Sequence, residues 1–231
     1  MSNGGGGVID SARGEGREPD RPQSLATMRG VAVVTRRSID VLVHVAGTTG
    51  ATPDGPIGLE TRFQLASVSK QFTAAAVLLL VDRRALSLDD RLVGHLDGCP
   101  STWEQITLHH LLCHTAGLVH WPHLEGLDLT ASVPADELLS IFADAPLLGM
   151  PGEQYSYSSP GYVLLARVVE QVSATPYRTF LADEIFGPLG MDATFAGNPS
   201  GEPRLAVPLH DGEPVASFEL DVVGMLSLIH I

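Results

Sequence analysis

The sequence predicts an α+β fold in which a β-hairpin is followed by a block of helices. Two β-branched runs, 30–35 (GVAVVT) and 39–46 (IDVLVHVA), are separated only by residues 36–38, as in a hairpin. Apolar residues at helical spacing then recur in five segments: 67–84, 106–114, 134–142, 162–172 and 176–185. The chain contains no internal repeat, so these observations favour a mixed globular domain over a repeat array.

Composition limits the partners. The 231 residues are 44% apolar and carry a net charge of -13, which argues against nucleic acids and anionic membrane surfaces. No apolar run reaches the ~18 residues of a membrane-spanning helix. We therefore expect a small-molecule substrate, no nucleic-acid or membrane partner, and leave the oligomeric state open. The first residues, MSNGGGG, lack the features of a secretory signal, which favours a cytoplasmic location.

The pattern most specific to a chemical role lies at the start of the first helix, where Ser67 precedes Lys70 by three residues. Positions three apart share a helix face, so the hydroxyl and the amine are neighbours. Of the 14 basic residues, 13 are arginine and Lys70 is the only lysine. A desolvated lysine can act as a base, whereas arginine cannot lose its proton. The alternative is an N-cap serine beside a surface lysine.

A serine at this place also suits an oxyanion site. The first N–H groups of a helix have no partner within it, and they lie at the positive end of the helix dipole. The apolar run 72–81 that follows predicts a buried helix. Ser69 is a competing nucleophile, but it faces another side of the helix.

Three more motifs accompany FQLASVSKQFTA (63–74) in order. They are ITLHHLLCHTAGL (106–118), PGEQYSYSSPGYVLLA (151–166) and IFGPLGMDAT (185–194). With these four motifs the chain resembles the serine β-lactamase-related and penicillin-binding-protein-like hydrolases, the branch with class C β-lactamases, DD-carboxypeptidases and β-lactamase-fold esterases. The resemblance spans about 30–197, with Ala116 in the serine place of the family's H-T-S-G.

The resemblance implies the β-lactamase/transpeptidase-like fold. In that fold an antiparallel sheet with flanking helices packs against a helical lobe, and the active site lies between them. The hairpin would supply the first two strands, and residues 70–195 most of the helical lobe. The expected organisation is a disordered tail at 1–28, rich in Gly, Arg and Glu, and a hydrolase domain over 29–225.

The family's second motif, Tyr-x-Asn, falls on Tyr157, Ser158 and Ser159. The resemblance implies that Tyr157 assists proton transfer and that Ser159 takes the substrate-binding place of the asparagine. A hydroxyl can accept from an ammonium or donate to a carbonyl, but it is shorter and makes fewer hydrogen bonds than an amide. The change argues against amide-directed substrate binding and penicillin hydrolysis. Without the resemblance, the favoured interpretation of Tyr157 is a core tyrosine near a turn.

The resulting expectation is a serine hydrolase that forms an acyl-enzyme on Ser67 and hydrolyses esters or amides, as esterase, D-amino peptidase or β-lactamase. Lys70 or Tyr157 accepts the serine proton, and the N–H of Ser67 is one oxyanion donor. No metal or organic cofactor is needed. The alternative is a covalent β-lactam or peptide sensor that is acylated without turnover. A non-catalytic scaffold is the third possibility.

Histidines and cysteines are the residues that could bind a metal ion. His114, His120 and His123 lie close together, but the sequence has neither H-E-x-x-H nor paired C-x-x-C, so no metal site is predicted. The resemblance gives His114 a structural role. Cys99 and Cys113 could pair or stay free, and two small core residues are the favoured interpretation.

The end of the sequence predicts truncation. The family's third motif, K-T-G or H-x-G, has no counterpart after Tyr157, since His210-Asp211-Gly212 comes too early. Residues 226–231 (LSLIHI) match an in-frame translation of a sequencing-transposon end and are expected to be adapter-derived. The hydrolase domain is therefore expected to be C-terminally truncated, and the fragment inactive.

Overall fold

The computed structural model describes residues 28–37, 39–50, 55–124, 127, 135–197, 205–210, 213–214 and 227–229. The predicted tail, apart from Met28, lies outside the described residues. So do Asp211 and Gly212 and half of the segment 226–231. The domain limits remain a prediction. No helix among the described residues is long and apolar enough to cross a membrane.

The chain divides into two compact units. The first comprises Met1–Phe63, Glu202–Ala216 and His230–Ile231, and the second Gln64–Gly201 and Ser217–Ile229. Strand β3 (Phe63–Gln64) lies at the boundary.

The predicted hairpin is confirmed in the first unit. Strand β1 (Gly30–Arg36) pairs antiparallel with β2 (Ile39–Ala46), with a register shift after Val34. Arg36 belongs to β1, so the connection is shorter than predicted. A second, two-residue hairpin of β5 (Leu209–His210) and β6 (Glu213–Pro214) was not predicted.

The second unit holds the helices. They are α1 (Lys70–Asp82), α2 (Leu108–Leu112), α3 (Ala135–Asp144), α4 (Ser159–Ser173) and α5 (Tyr177–Leu181). Short 3-10 turns lie at Ala66–Ser69, Leu92–Gly94, Ser101–Trp103 and Trp121–His123, and a π-helical turn at Ala182–Phe186 continues α5. Strands β4 (Phe195–Ala196) and β7 (Ser227–Ile229) pair antiparallel. All five predicted helices are confirmed, with altered ends.

Helix α4 forms the centre of this unit and packs against α1, α2 and α5. Every residue from Ser159 to Ala166 is buried. Helix α1 differs from the prediction because it is buried on one face only, and Leu78 on the other face is 50% exposed. The buried face recurs at helical spacing: Lys70, Thr73, Ala76, Val77 and Leu80. The only lysine therefore lies on the core side of its helix.

Local capping explains where α2 begins. The side chain of Thr107 accepts a hydrogen bond from the N–H of His110 at 3.2 Å, and Nδ1 of His110 accepts one from the N–H of Thr107 at 3.3 Å. The predicted N-cap is thus confirmed as a reciprocal capping box. The cysteines correct the prediction: both thiols are free, and Cys113 is exposed rather than in the core, because it ends α2 on the solvent side.

Candidate active site

Ser67 lies in the 3-10 turn that leads directly into α1, and it is exposed. The residue before it, Ala66, has a φ of 47°, a left-handed conformation that non-glycine residues rarely adopt. Lys70 Nζ donates to Ser67 Oγ at 3.4 Å. The predicted proximity of hydroxyl and amine is therefore confirmed, although a tight 3-10 turn rather than an α-helical turn produces it.

The side chain of Lys70 is only 7% exposed. Its Nζ donates a second, shorter hydrogen bond of 3.1 Å to Ser159 Oγ. The ammonium also lies 5.1 Å from the ring centroid of Tyr157 and 5.5 Å from that of Tyr162, within range of cation–π attraction. Hydroxyl groups and aromatic rings thus surround this cation.

Tyr157 brings its phenol to the same point from a distant part of the chain. Its Oη lies 2.6 Å from Ser67 Oγ, and either atom can donate the proton. Burial raises the pKa of Tyr157, but the ammonium of Lys70 and the hydroxyls of Ser67 and Ser159 lower it more, so the net pKa lies below its ordinary value. A lowered pKa favours the phenolate form of Tyr157, and a phenolate beside a serine hydroxyl can accept its proton.

Ser159 is the first residue of α4 and is 2% exposed. Its hydroxyl accepts from Lys70, the contact that the sequence allowed for a hydroxyl in the asparagine place. The preceding Ser158 is the N-cap, whose Oγ accepts from the N–H of Gly161 at 3.3 Å and donates to the carbonyl of Val119 at 3.1 Å. The start of α4 is thus fixed on both sides of Ser159.

The structure separates Ser67 from its competitor Ser69. Ser69 is 1% exposed, and its Oγ donates to the carbonyl of Ala66 at 2.6 Å. A buried hydroxyl engaged with its own turn is inaccessible to a substrate. The expectation that Ser69 faces away from the site is confirmed.

The segment 114–120 (HTAGLVH) is hydrogen-bonded to the stretch of chain that precedes Tyr157. Carbonyls of His114 and Gly117 accept from the N–H groups of Ser156 and Leu148, at 2.7 and 2.8 Å. Gly117 has a φ of 77°, and a Cβ there would lie 2.6 Å from the carbonyl oxygen of Gly149. Only glycine allows this close approach.

Two residues of this segment were missed as parts of the site. His114 Nδ1 accepts from the N–H of Ser158 at 3.2 Å, and His120 Nδ1 accepts from the N–H of Ser159 at 3.3 Å. The family resemblance implied only a structural role for His114, and the sequence pattern offered His120 only as a candidate metal ligand. Because these contacts join segments 39 or more residues apart, no local pattern predicts them.

In the part of the chain that the structure describes, the possible metal-binding side chains do not form a metal site. Within the described ranges, no group of three or more His, Cys, Asp or Glu side chains is placed to hold a metal ion. His114 and His120 each use Nδ1 for a backbone N–H, which leaves one ring nitrogen apiece.

Several known proteins are similar to this chain in sequence or in fold. Esterase EstB of Burkholderia gladioli is 36% identical over 206 residues, which are 80% of this chain and 50% of the esterase. D-aminopeptidase of Brucella anthropi is 31% identical over 176 residues, 74% of this chain and 33% of that enzyme. The chain thus spans half or less of the length of these relatives.

The fold has a solved counterpart in a penicillin-binding protein from Bacillus halodurans. The two superpose with a TM-score of 0.75 at 26% identity, over 90% of this chain and 68% of that protein. The expected β-lactamase/transpeptidase-like fold is confirmed by this likeness. The family described as Beta-lactamase matches residues 23–223, nearly the whole sequence, and the chain therefore belongs to the beta-lactamase family.

Proposed function

We propose that the protein is a serine hydrolase that forms an acyl-enzyme on Ser67 and hydrolyses esters or amides. The observation that carries this proposal is the 2.6 Å distance between Ser67 Oγ and Tyr157 Oη, on the exposed side of a turn that also holds Lys70. An exposed hydroxyl within hydrogen-bond distance of a base is the arrangement of an activated nucleophile.

Acylation begins when Ser67 Oγ attacks the substrate carbonyl carbon. The new C–O bond forms as the carbonyl electron pair moves to oxygen, and Tyr157 accepts the serine proton. Collapse of this intermediate breaks the bond to the leaving group, which takes the proton back from Tyr157. The backbone N–H of Ser67 is the proposed donor to the oxyanion. The phenolate of Tyr157 then accepts a proton from the water molecule that attacks the ester carbonyl, and it returns this proton to Ser67 Oγ as the bond to serine breaks and the acid is released.

Lys70 serves the same steps through its charge. Its ammonium contacts the hydroxyls of Ser67 and Ser159 and favours the phenolate form of Tyr157. Since Tyr157 is 2.6 Å from the nucleophile and Lys70 is 3.4 Å away, we assign the proton transfer to Tyr157. Lys70 then stabilises the phenolate and positions Ser159.

We propose that the substrate is an ester or amide whose acyl group is bound without a hydrogen bond from a side-chain amide of the protein. Ser159 is only 2% exposed and its Oγ is held by the ammonium of Lys70, so its hydroxyl is poorly accessible to a substrate carbonyl. The names of the related esterase and D-aminopeptidase agree with both bond types.

The test is labelling by a fluorophosphonate together with hydrolysis of p-nitrophenyl butyrate. Ser67→Ala is expected to lose both, and Ser69→Ala, the matched control, is expected to keep labelling on Ser67. Labelling retained by Ser67→Ala and lost by Ser69→Ala would overturn the assignment. A stoichiometric burst without turnover supports the covalent sensor instead, and no labelling of the wild type supports a scaffold.

A further inference from the structure

Two histidines hold the beginning of α4 from outside the helix. The N–H of Ser158 donates to His114 Nδ1 at 3.2 Å, and the N–H of Ser159 donates to His120 Nδ1 at 3.3 Å. The first N–H groups of a helix have no acceptor within the helix and need one from elsewhere. Here imidazole rings supply the acceptors.

The next two positions of α4 need no outside acceptor. Pro160 has no N–H, and the N–H of Gly161 donates to Ser158 Oγ at 3.3 Å. The two imidazoles therefore complete the capping of α4. Removing either one leaves a backbone N–H at a buried helix start without its acceptor.

This contact fixes the protonation state of both rings. A ring nitrogen that accepts a hydrogen bond carries no proton, so each neutral ring has its proton on Nε2. Protonation of Nδ1 would place one N–H donor against another. The backbone N–H would then lose its acceptor, and the start of α4 would have to move.

The residues fixed in this way are those of the proposed chemistry. Ser159 holds Lys70, and Tyr157 directly precedes the capped N–H groups. The Tyr157 ring also packs against both imidazoles, with centroid distances of 4.6 Å to His114 and 5.0 Å to His120. Both histidines thus contact the tyrosine side chain as well as the backbone that follows it.

We propose that His114 and His120 are positioning residues that act as neutral hydrogen-bond acceptors for the start of α4, so that acid pH displaces Tyr157 and Ser159 by protonating these rings. The proposal rests on the proposed function of Ser67 and Tyr157. It assigns to His120 a role that its place in the sequence did not suggest.

The surroundings of the rings act in the same direction. Among the described residues, the titratable groups that face them are Lys70 of α1, Tyr155 and Tyr157 before α4, Tyr162 within α4, and His123 of the following 3-10 turn. Burial first, and then the charge of Lys70, lower the pKa of both His114 and His120. The positive end of the α4 dipole also disfavours a cation here.

The sign of the pH effect follows. Each ring has a lower pKa in the folded state than the roughly 6.5 of an unfolded chain. The capped state is therefore fully favoured above that value. Its advantage falls as the pH drops through the folded-state pKa of each ring.

The first experiment reads the rings without any catalysis. In protein labelled with ¹⁵N-histidine, long-range ¹H–¹⁵N spectra distinguish an unprotonated Nδ1 from a protonated one. At neutral pH we expect the Nε2–H tautomer for both rings, assigned by the signals lost in His114→Asn and His120→Asn. An Nδ1–H tautomer or a protonated ring would overturn the proposal. This result stands even if the wild type proves not to be a hydrolase.

The second experiment compares two amides at position 120. The side-chain oxygen of asparagine can occupy the place of Nδ1, whereas that of glutamine reaches the place of Nε2. His120→Asn is expected to label with fluorophosphonate within about three-fold of the wild-type rate and with a shallower acid limb. His120→Gln is expected to lose roughly ten-fold or more at neutral pH, because small misplacements of reacting groups slow reactions strongly.

The control is His123→Asn, which alters an exposed neighbouring imidazole that does not cap α4 and should keep the labelling rate at neutral pH within about two-fold, as surface substitutions do. Equal rates for the asparagine and glutamine variants at position 120, with the acid limb of the wild type unchanged in both, would refute the positioning role. Absence of wild-type labelling would count against the proposed function, and the histidine spectra would then decide the capping.

Discussion

The phenol oxygen of Tyr157 lies 2.6 Å from the hydroxyl oxygen of Ser67, although 90 residues separate them in the sequence. Two elements create this contact: the 3-10 turn before α1 presents the serine, and the stretch before α4 presents the tyrosine. The contact ranks the two candidate bases, because the amine of Lys70 is farther from the same oxygen, at 3.4 Å.

Removal of the phenol is expected to abolish most acylation. Tyr157→Phe should slow fluorophosphonate labelling by ~10²–10⁴-fold, the usual size for a positioned proton-transfer group. The control is Tyr155→Phe, since Tyr155 is 68% exposed and its ring contacts His114 rather than the nucleophile. A Tyr157→Phe protein that labels as fast as the Tyr155→Phe control would return the role of base to Lys70.

The lowered pKa of Tyr157 predicts the shape of the pH profile. The phenolate is the proposed base, so the labelling rate should fall as the pH drops through the folded-state pKa. Since that pKa lies below the ordinary value of about 10, activity should extend further toward neutral pH than an unperturbed tyrosine would allow. In Lys70→Ala the fall in labelling rate should begin at a higher pH, because the ammonium that lowers the pKa of Tyr157 is gone. A limb at the same pH in that variant would contradict the electrostatic role of the lysine.

Charge alone should not replace Lys70. Lys70→Arg is expected to be nearly as damaging as Lys70→Ala, with losses of about 10²-fold in labelling rate, because a misplaced charge no longer supports the phenolate of Tyr157. The planar guanidinium is larger than the ammonium and must enter a place that is 7% exposed, between the hydroxyls of Ser67 and Ser159. If Lys70→Arg keeps most of the wild-type rate, the lysine is a replaceable electrostatic anchor.

The sequence predicted part of this site and not the rest, for physical reasons. Ser67 and Lys70 are local, so helical spacing alone placed them together. Tyr157 and Ser159 required the family resemblance, because no spacing rule relates positions about 90 residues apart. His120 was assessed by residue type as a metal ligand, and its backbone contact appears only once the start of α4 is positioned.

The fold divides in a similar way. The hairpin and the five helices could be predicted because apolar residues recur at strand or helix spacing. This spacing marks the positions that face the core. Helix α1 was predicted to be buried, but Leu78 is half exposed, because an apolar run does not reveal which side lacks a neighbour. The two-residue strands β4 to β6 are too short to leave a periodic pattern.

Ser159 offers a test of specificity. Ser159→Asn introduces the family's amide, which can reach a substrate carbonyl while still accepting from Lys70. We expect acylation by a penicillin to rise by roughly ten-fold or more, as sites that gain a matched hydrogen bond discriminate strongly. Ser159→Ala is the control for loss of the hydroxyl. Unchanged penicillin acylation in Ser159→Asn would show that this position does not set the substrate class.

A buried hydrogen bond between helices should stabilise the second unit. Tyr177 Oη and Thr73 Oγ1 are 2.7 Å apart, and both side chains are at most 1% exposed. Tyr177→Phe leaves the threonine hydroxyl unsatisfied and should lower the free energy of unfolding by about 1–3 kcal/mol, measured with urea. Combined with Thr73→Val, the loss should be smaller than the sum of the single losses. Strict additivity would mean that the two hydroxyls are not coupled.

The only lysine of the chain also determines how the protein reacts with amine reagents. Succinimidyl esters modify exposed amines, and in the native state the sole ε-amine is 7% exposed. Such a reagent should therefore modify Lys70 only slowly while the protein is folded. Modification of the ε-amine would require opening of the second unit around α1. Mass spectrometry of modified Lys70 would then report how often the second unit opens. The other 13 of the 14 Lys and Arg residues are arginines, which do not react with succinimidyl esters.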